Sequence, residues 1–157
     1  MSQKHFLLAA LCASILSLAG CSGLGAGAYN NEKSIASDVN SYNLNNVTQS
    51  NEGDTFSAQV ENMEGMDTIW DCSADAALET ELSYDITLYS GKVKLALISP
   101  DEEVTTLVEL DSGKSAAGTV SFTLQPGENR IKVVAGEDTG FDMSLTVPEG
   151  EFASMGF

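Results

Sequence analysis

The amino-acid sequence predicts an all-β domain, an antiparallel two-sheet sandwich or jelly roll of about eight strands. Three observations carry this. Between residues 54 and 147 apolar and polar residues alternate in short runs, the period expected of strands half-buried in a sheet. The runs are divided at intervals of roughly 8–12 residues by clusters of turn-forming residues. No stretch requires a helix: the one candidate, residues 74–81 with Ala76-Ala77-Leu78, competes with an unbroken strand over residues 78–89.

Taken in order, Phe56, Ala58 and Val60 share one face, and Met66, Thr68, Trp70 and Cys72 share a candidate second one. Leu82, Tyr84, Ile86 and Leu88 continue the pattern until Ser90-Gly91 breaks it. Val93, Leu95 and Leu97 run to Ser99-Pro100-Asp101, and Val104, Thr106, Val108 and Leu110 to Asp111-Ser112-Gly113-Lys114. Val120, Phe122 and Leu124 alternate up to Gln125-Pro126-Gly127-Glu128-Asn129. Ile131, Val133 and Ala135, then Phe141, Met143, Leu145 and Val147, close the series. Parity places Trp70 in the core. It turns Tyr89 to the opposite side of its strand, where an exposed ring suits sugar stacking or simply reflects β-propensity.

Ahead of this domain, Lys4 precedes an apolar run over residues 6–18. That run falls short of the ~20 apolar residues of a membrane span and has the form of the hydrophobic region of an export signal. It ends in Leu18-Ala19-Gly20-Cys21, which resembles the lipobox of bacterial lipoproteins. The resemblance implies cleavage after residue 20 and a thioether-linked diacylglycerol on Cys21, which becomes the first mature residue. It also implies residence in the cell envelope, lipid-anchored on the extracytoplasmic side. Two or three acyl chains give stable anchoring where one gives only marginal binding. An ordinary secretory cleavage site is the alternative reading of the same small residues.

The expected organisation is a signal peptide over residues 1–20, a lipidated flexible tether over 21–53, the β-sandwich over 54–147 and a frayed tail over 148–157. The tether is inferred from composition: Gly23-Leu24-Gly25-Ala26-Gly27-Ala28 and seven asparagines between residues 30 and 51. About 30 loosely coiled residues reach on the order of 30 Å. Ser90-Gly91-Lys92-Val93-Lys94-Leu95 and Leu124-Gln125-Pro126-Gly127-Glu128-Asn129-Arg130-Ile131-Lys132 give the domain a looser resemblance to the β-sandwich modules of small uncharacterised bacterial lipoproteins. That likeness implies fold rather than activity.

Past residue 20 the chain holds six lysines and arginines against 23 acidic residues, a balance of −17. Such a charge argues against nucleic acid and anionic headgroups as partners. The one histidine, His5, lies in the signal, so histidine-activated nucleophiles and histidine-containing zinc sites are excluded from the mature chain. With Cys12 in the signal and Cys21 lipidated, Cys72 has no intrachain disulfide partner; it reads as a small buried hydrophobe, with an intermolecular disulfide or a reactive thiol as the alternative. No cofactor is implied and no catalytic or metal residue is assigned. Calcium is the one cation for which acidic clusters exist, at Asp67, Asp71 and Asp75 and at Asp101, Glu102 and Glu103, but neither has a regular calcium-loop spacing and both read as solvated charge. The sequence therefore predicts a membrane-anchored, non-catalytic binding or interaction module whose ligand it does not identify, a glycan and a protein being the candidates. The alternatives are a structural or accessory envelope lipoprotein docking a larger assembly and, more distantly, a small carboxylate-dependent glycoside hydrolase.

Overall fold

A computed structural model describes residues 27–111 and 113–156. Leu18, Ala19, Gly20 and Cys21, which carry the lipobox resemblance, and the rest of the expected export signal lie outside the described residues. A short helix, α1 (Glu32–Ala36), precedes eight strands: β1 (Ser41–Glu52), β2 (Thr55–Ala74), β3 (Leu78–Ser90), β4 (Lys92–Ile98), β5 (Val104–Asp111), β6 (Ser115–Leu124), β7 (Gly127–Thr146) and β8 (Glu151–Phe152). All pairings are antiparallel. The domain is all-β, as the alternation predicts.

Two strands of 20 residues, β2 and β7, run through both layers of the sandwich. The N-terminal half of β2 and the C-terminal half of β7 lie between β1 and β3, and β6 completes this layer, sheet I. The remaining halves lie between β8 and β4, with β5 outermost, in sheet II. Each long strand absorbs two of the runs that the sequence separates. The corner falls where pairing slips, between Val60 and Met63 and between Met63 and Gly65 of β2, since bulges bend and twist a strand without ending it. Gly65 is required there: at φ 108° it lies so close to β1 that a Cβ would stand 2.1 Å from the Ser41 carbonyl oxygen.

The inward faces of both sheets form one core. Phe56, Val60, Leu82, Ile86, Phe141 and Leu145 of sheet I meet Trp70, Val93, Leu95, Ile131 and Val133 of sheet II. Trp70 is fully buried, edge-on to Phe122 at 6.2 Å, and its indole N–H donates to the Glu149 carbonyl at 2.9 Å. The supposed common face of Met66, Thr68, Trp70 and Cys72 does not exist. A slip between Thr68 and Trp70 admits Ile69 and reverses the phase, so Met66 faces outward from sheet II while Ile69 and Trp70 are both core. The 78–89 strand wins over the helical alternative, as β3.

The 21–53 tether is corrected over its described part. Residues 27–40 form a strap against the outer face of sheet II, where Tyr29, Ile35 and Ala36 bury with Met66, Ala96, Ile98 and Val134 in a second apolar layer. Asn31 caps α1 by accepting from the Ser34 N–H at 3.2 Å, and Asn40 Oδ1 accepts from the Thr68 N–H and hydroxyl. The asparagine-rich run that follows is strand β1, paired with β2 along its length. Its half-buried positions, Tyr42 and Leu44, then Val47 and Gln49, change phase at Asn46, which holds φ 51°. The frayed tail is corrected too. Phe152 of β8 stacks on Phe56 at 5.6 Å, and Gln49 exchanges two hydrogen bonds with the Met155 backbone, at 2.7 and 3.0 Å. Gly156 N–H donates to Asp67 Oδ2 at 2.8 Å, while Oδ1 of this buried carboxylate has no partner among the described residues. Burial accordingly pushes the Asp67 pKa up.

Candidate functional site

The four strands β1, β2, β7 and β3 of sheet I present their outward residues to an open, shallow cleft of about 470 Å³. Its walls follow from period-two alternation: because Phe56, Ala58, Met143 and Ile86 point into the core, their neighbours Ser57, Gln59, Asp142, Ser144, Asp85 and Thr87 point out. Thr48 and Ser50 of β1 complete it. A second hollow, sharing Thr48, Gln59 and Asp142, extends the cleft toward Asn46, Glu61 and Tyr89. There Asn46 Nδ2 donates to Glu61 at 2.6 Å.

Tyr89 is the exposed aromatic of this face, 61% accessible. Its hydroxyl donates to Asp142 Oδ2 at 2.7 Å, which fixes the ring beside the cleft. The same hydrogen bond to the carboxylate holds the Tyr89 pKa above its ordinary value. Hydroxyls, an amide and carboxylates thus alternate donors and acceptors next to one flat apolar surface, a combination suited to a polyhydroxylated ligand. No lysine or arginine occurs anywhere in the strand segments of sheet I, whereas Glu61, Glu79, Glu81, Asp85 and Asp142 lie on its outward positions.

The outer face of sheet II is the opposite case. Arg130 donates to the Ala36 carbonyl at 2.8 Å and the Ser37 carbonyl at 3.3 Å and pairs with Asp38 at 2.9 Å. Lys132 Nζ donates to the Ser37 and Val39 carbonyls at 2.6 and 3.2 Å. These cations satisfy carbonyls that the end of a helix leaves without partners. Burial, reinforced by neighbouring Arg130, lowers the Lys132 pKa to about 8. Tyr29 lies under Lys92 and Lys94, whose ammonium groups are 4.1 and 4.5 Å from the ring centroid, and its hydroxyl donates to Glu109 at 2.8 Å.

Of the other sequence candidates, Asp67 is buried while Asp71 and Asp75 are exposed, and Asp101, Glu102 and Glu103 all face solvent. Among the described residues no three acidic, histidine or cysteine side chains converge to hold a metal ion. Cys72 is half-buried against the core rather than fully buried, and burial, with Glu149 and Asp71 nearby, pushes its thiol pKa up, away from reactivity. Sequence parity singles out Tyr89; it does not single out Asp142 or Gln59, which join Tyr89 only through the pairing of β2, β7 and β3. Among the described residues no helix is long and apolar enough to cross a membrane.

No family model matches the chain, and no curated protein matches it. Among solved structures it is similar to a family 29 carbohydrate-binding module complexed with mannohexaose, at 12% identity and a TM-score of 0.43, covering 71% of this chain and 83% of that one. It is also similar to a carbohydrate-binding module from Cellvibrio mixtus lichenase 5A in complex with cellotriose, at 8% identity and a TM-score of 0.40, covering 67% and 88%. An exo-β-1,3-galactanase from Phanerochaete chrysosporium matches at 12% identity and a TM-score of 0.39 over 69% of this chain and 27% of its own. At TM-scores below 0.5 these likenesses do not bear on ligand or function.

Proposed function

We propose that the chain is a lipid-anchored, extracytoplasmic, non-catalytic binding module whose ligand, a neutral glycan, lies on the outer face of sheet I. The observation that carries this is Tyr89, exposed and oriented by Asp142 beside a cleft of hydroxyl, amide and carboxylate groups. The carboxylates accept hydrogen bonds from sugar hydroxyls, and the lack of cations on that sheet disfavours anionic polysaccharides. Lipidation of Cys21, on the lipobox it ends, supplies the anchor. A second reading, an accessory protein docked to a larger assembly, draws support from the gap between edge strands β5 and β6, where half-buried Leu107 and Val120 line a cleft of about 720 Å³.

Calorimetric titration of residues 22–157 with soluble neutral oligosaccharides tests the first reading. Tyr89→Ala is expected to weaken binding about tenfold, the scale of one lost aromatic contact. Binding untouched by that substitution, or no binding across the series, would shift weight to the docking reading.

A further inference from the structure

We infer that the protein is held with the strapped face of sheet II toward the bilayer and the open face of sheet I turned away from it. The inference rests on the reading of Cys21 as the lipid anchor. Its ligand is then presented from outside the membrane rather than being a membrane component.

The first argument is length. Tyr29, in the strap, is fixed against β4 and β5 by two cations and a hydrogen bond to Glu109, and it stands eight residues after Cys21. Eight residues reach at most about 28 Å, and less here because Gly27 and Ala28 are helical. Tyr29 sits over β4 and β5, on the outer side of sheet II. To bring the middle of sheet I against the same bilayer, the leash must round the sandwich edge. That path crosses the ~10 Å between sheets and about three strand spacings of 4.8 Å, and with the outer side-chain layers is on the order of 30 Å. Carrying sheet II to the membrane requires no detour.

The second argument is independent of length. All six lysines and arginines of the described residues lie on the strap (Lys33), on sheet II (Lys92, Lys94, Arg130, Lys132) or in the loop between β5 and β6 (Lys114). The strap and sheet II carry acidic residues too, among them Glu32, Asp38, Glu109 and Asp111, but the five cations there offset them, whereas the charged groups on the outer face of sheet I are carboxylates alone. Anionic headgroups therefore repel sheet I more strongly than sheet II and turn the domain the same way as the leash does. Val39, 70% accessible, is an exposed large apolar side chain on the strap side.

The test uses the full, lipidated chain in vesicles of phosphatidylethanolamine and phosphatidylglycerol containing a headgroup nitroxide lipid. In a Cys72→Ser background one fluorophore is placed at Lys33→Cys on the strap or at Thr119→Cys on the outer face of sheet I. Quenching is expected to be several-fold stronger at position 33. Equal quenching, or stronger quenching at 119, on protein whose mass shows an acylated Cys21 overturns the orientation and leaves the anchor standing. A mass without acyl groups overturns both. In vesicles of phosphatidylcholine alone, where headgroup charge gives no bias, twenty inserted Gly-Ser residues between Ser22 and Gly27 should erase most of the contrast; a contrast that survives unchanged there sinks the leash argument.

Discussion

On the outer face of sheet II, Lys92, Lys94, Arg130 and Lys132 are turned against a tyrosine ring and the carbonyls of residues 36–39, and an apolar layer closes beneath them. On the outer face of sheet I, Glu61, Asp85 and Asp142 look into an open cleft with no cation in the sheet. Both faces are built on the same two strands, β2 and β7. The difference lies in which residues flank the corner. C-terminal to Met63 in β2 and N-terminal to Thr139 in β7 the outward positions are Met66, Thr68, Arg130, Lys132 and Val134; on the other side they are Ser57, Gln59, Asp142 and Ser144. One strand can thus build a third packed layer at one end and a solvated surface at the other, and the net acidity of the chain is an average over two unlike faces.

The largest test of this contrast is packing. Ile35 is fully buried in the strap layer, so Ile35→Ala should cost about 2–5 kcal/mol, read as a lowered urea midpoint. Thr87→Ala on the open face should stay within about 0.5 kcal/mol. Similar losses at the two positions would mean that the strap is not a structural layer.

A smaller effect sharpens the electrostatic side. A lysine whose folded pKa lies below its unfolded one releases its proton more readily when folded, so its contribution to stability grows as pH rises. For Lys132 the window runs from about 8 to the ordinary lysine value of 10.5. Relative to Lys132→Met, the native chain should gain stability between those limits and show no such gain from pH 6 to 7. Urea melts of both proteins across the range check this. A difference that is flat throughout would place the ammonium in water rather than against the Ser37 and Val39 carbonyls.

How much of this was legible depends on whether meaning is local. Strands that keep phase, such as Phe56, Ala58 and Val60 or Phe141, Met143 and Leu145, declare their faces in the sequence, and the core follows them. Met66 to Cys72 misleads because one inserted residue, Ile69, reverses the alternation. The strap escapes notice because Tyr29, Ile35 and Ala36 are too sparse to show a period, although β4 holds a usable signal. Leu95-Ala96-Leu97-Ile98 is a continuous apolar run, the mark of a strand covered on both faces. Tyr89 is readable from parity beside a turn. Asp142 lies 53 residues away and becomes its partner only through β3–β7 pairing, which no local pattern encodes.

The smallest expected effect bears most directly on the open face. Tyr89→Phe keeps the ring and removes the hydroxyl that Asp142 accepts from, at an exposed position where such pairs contribute little to stability. Its urea midpoint should therefore match that of the native chain. In Asp142→Asn the hydrogen bond to a charged acceptor is gone, and the raised pKa of Tyr89 should fall back toward the ordinary tyrosine value, visible as an earlier rise in phenolate absorbance. If the face binds through ring stacking, Tyr89→Phe retains most of the affinity that Tyr89→Ala loses, and Asp142→Asn weakens binding by weakening the bond that orients the ring and replacing one acceptor oxygen with a donor. If Tyr89→Phe binds as poorly as Tyr89→Ala, the hydroxyl rather than the ring makes the contact. The Tyr89–Asp142 pair would then be a polar subsite in its own right, and the contrast between the two faces would rest on charge alone.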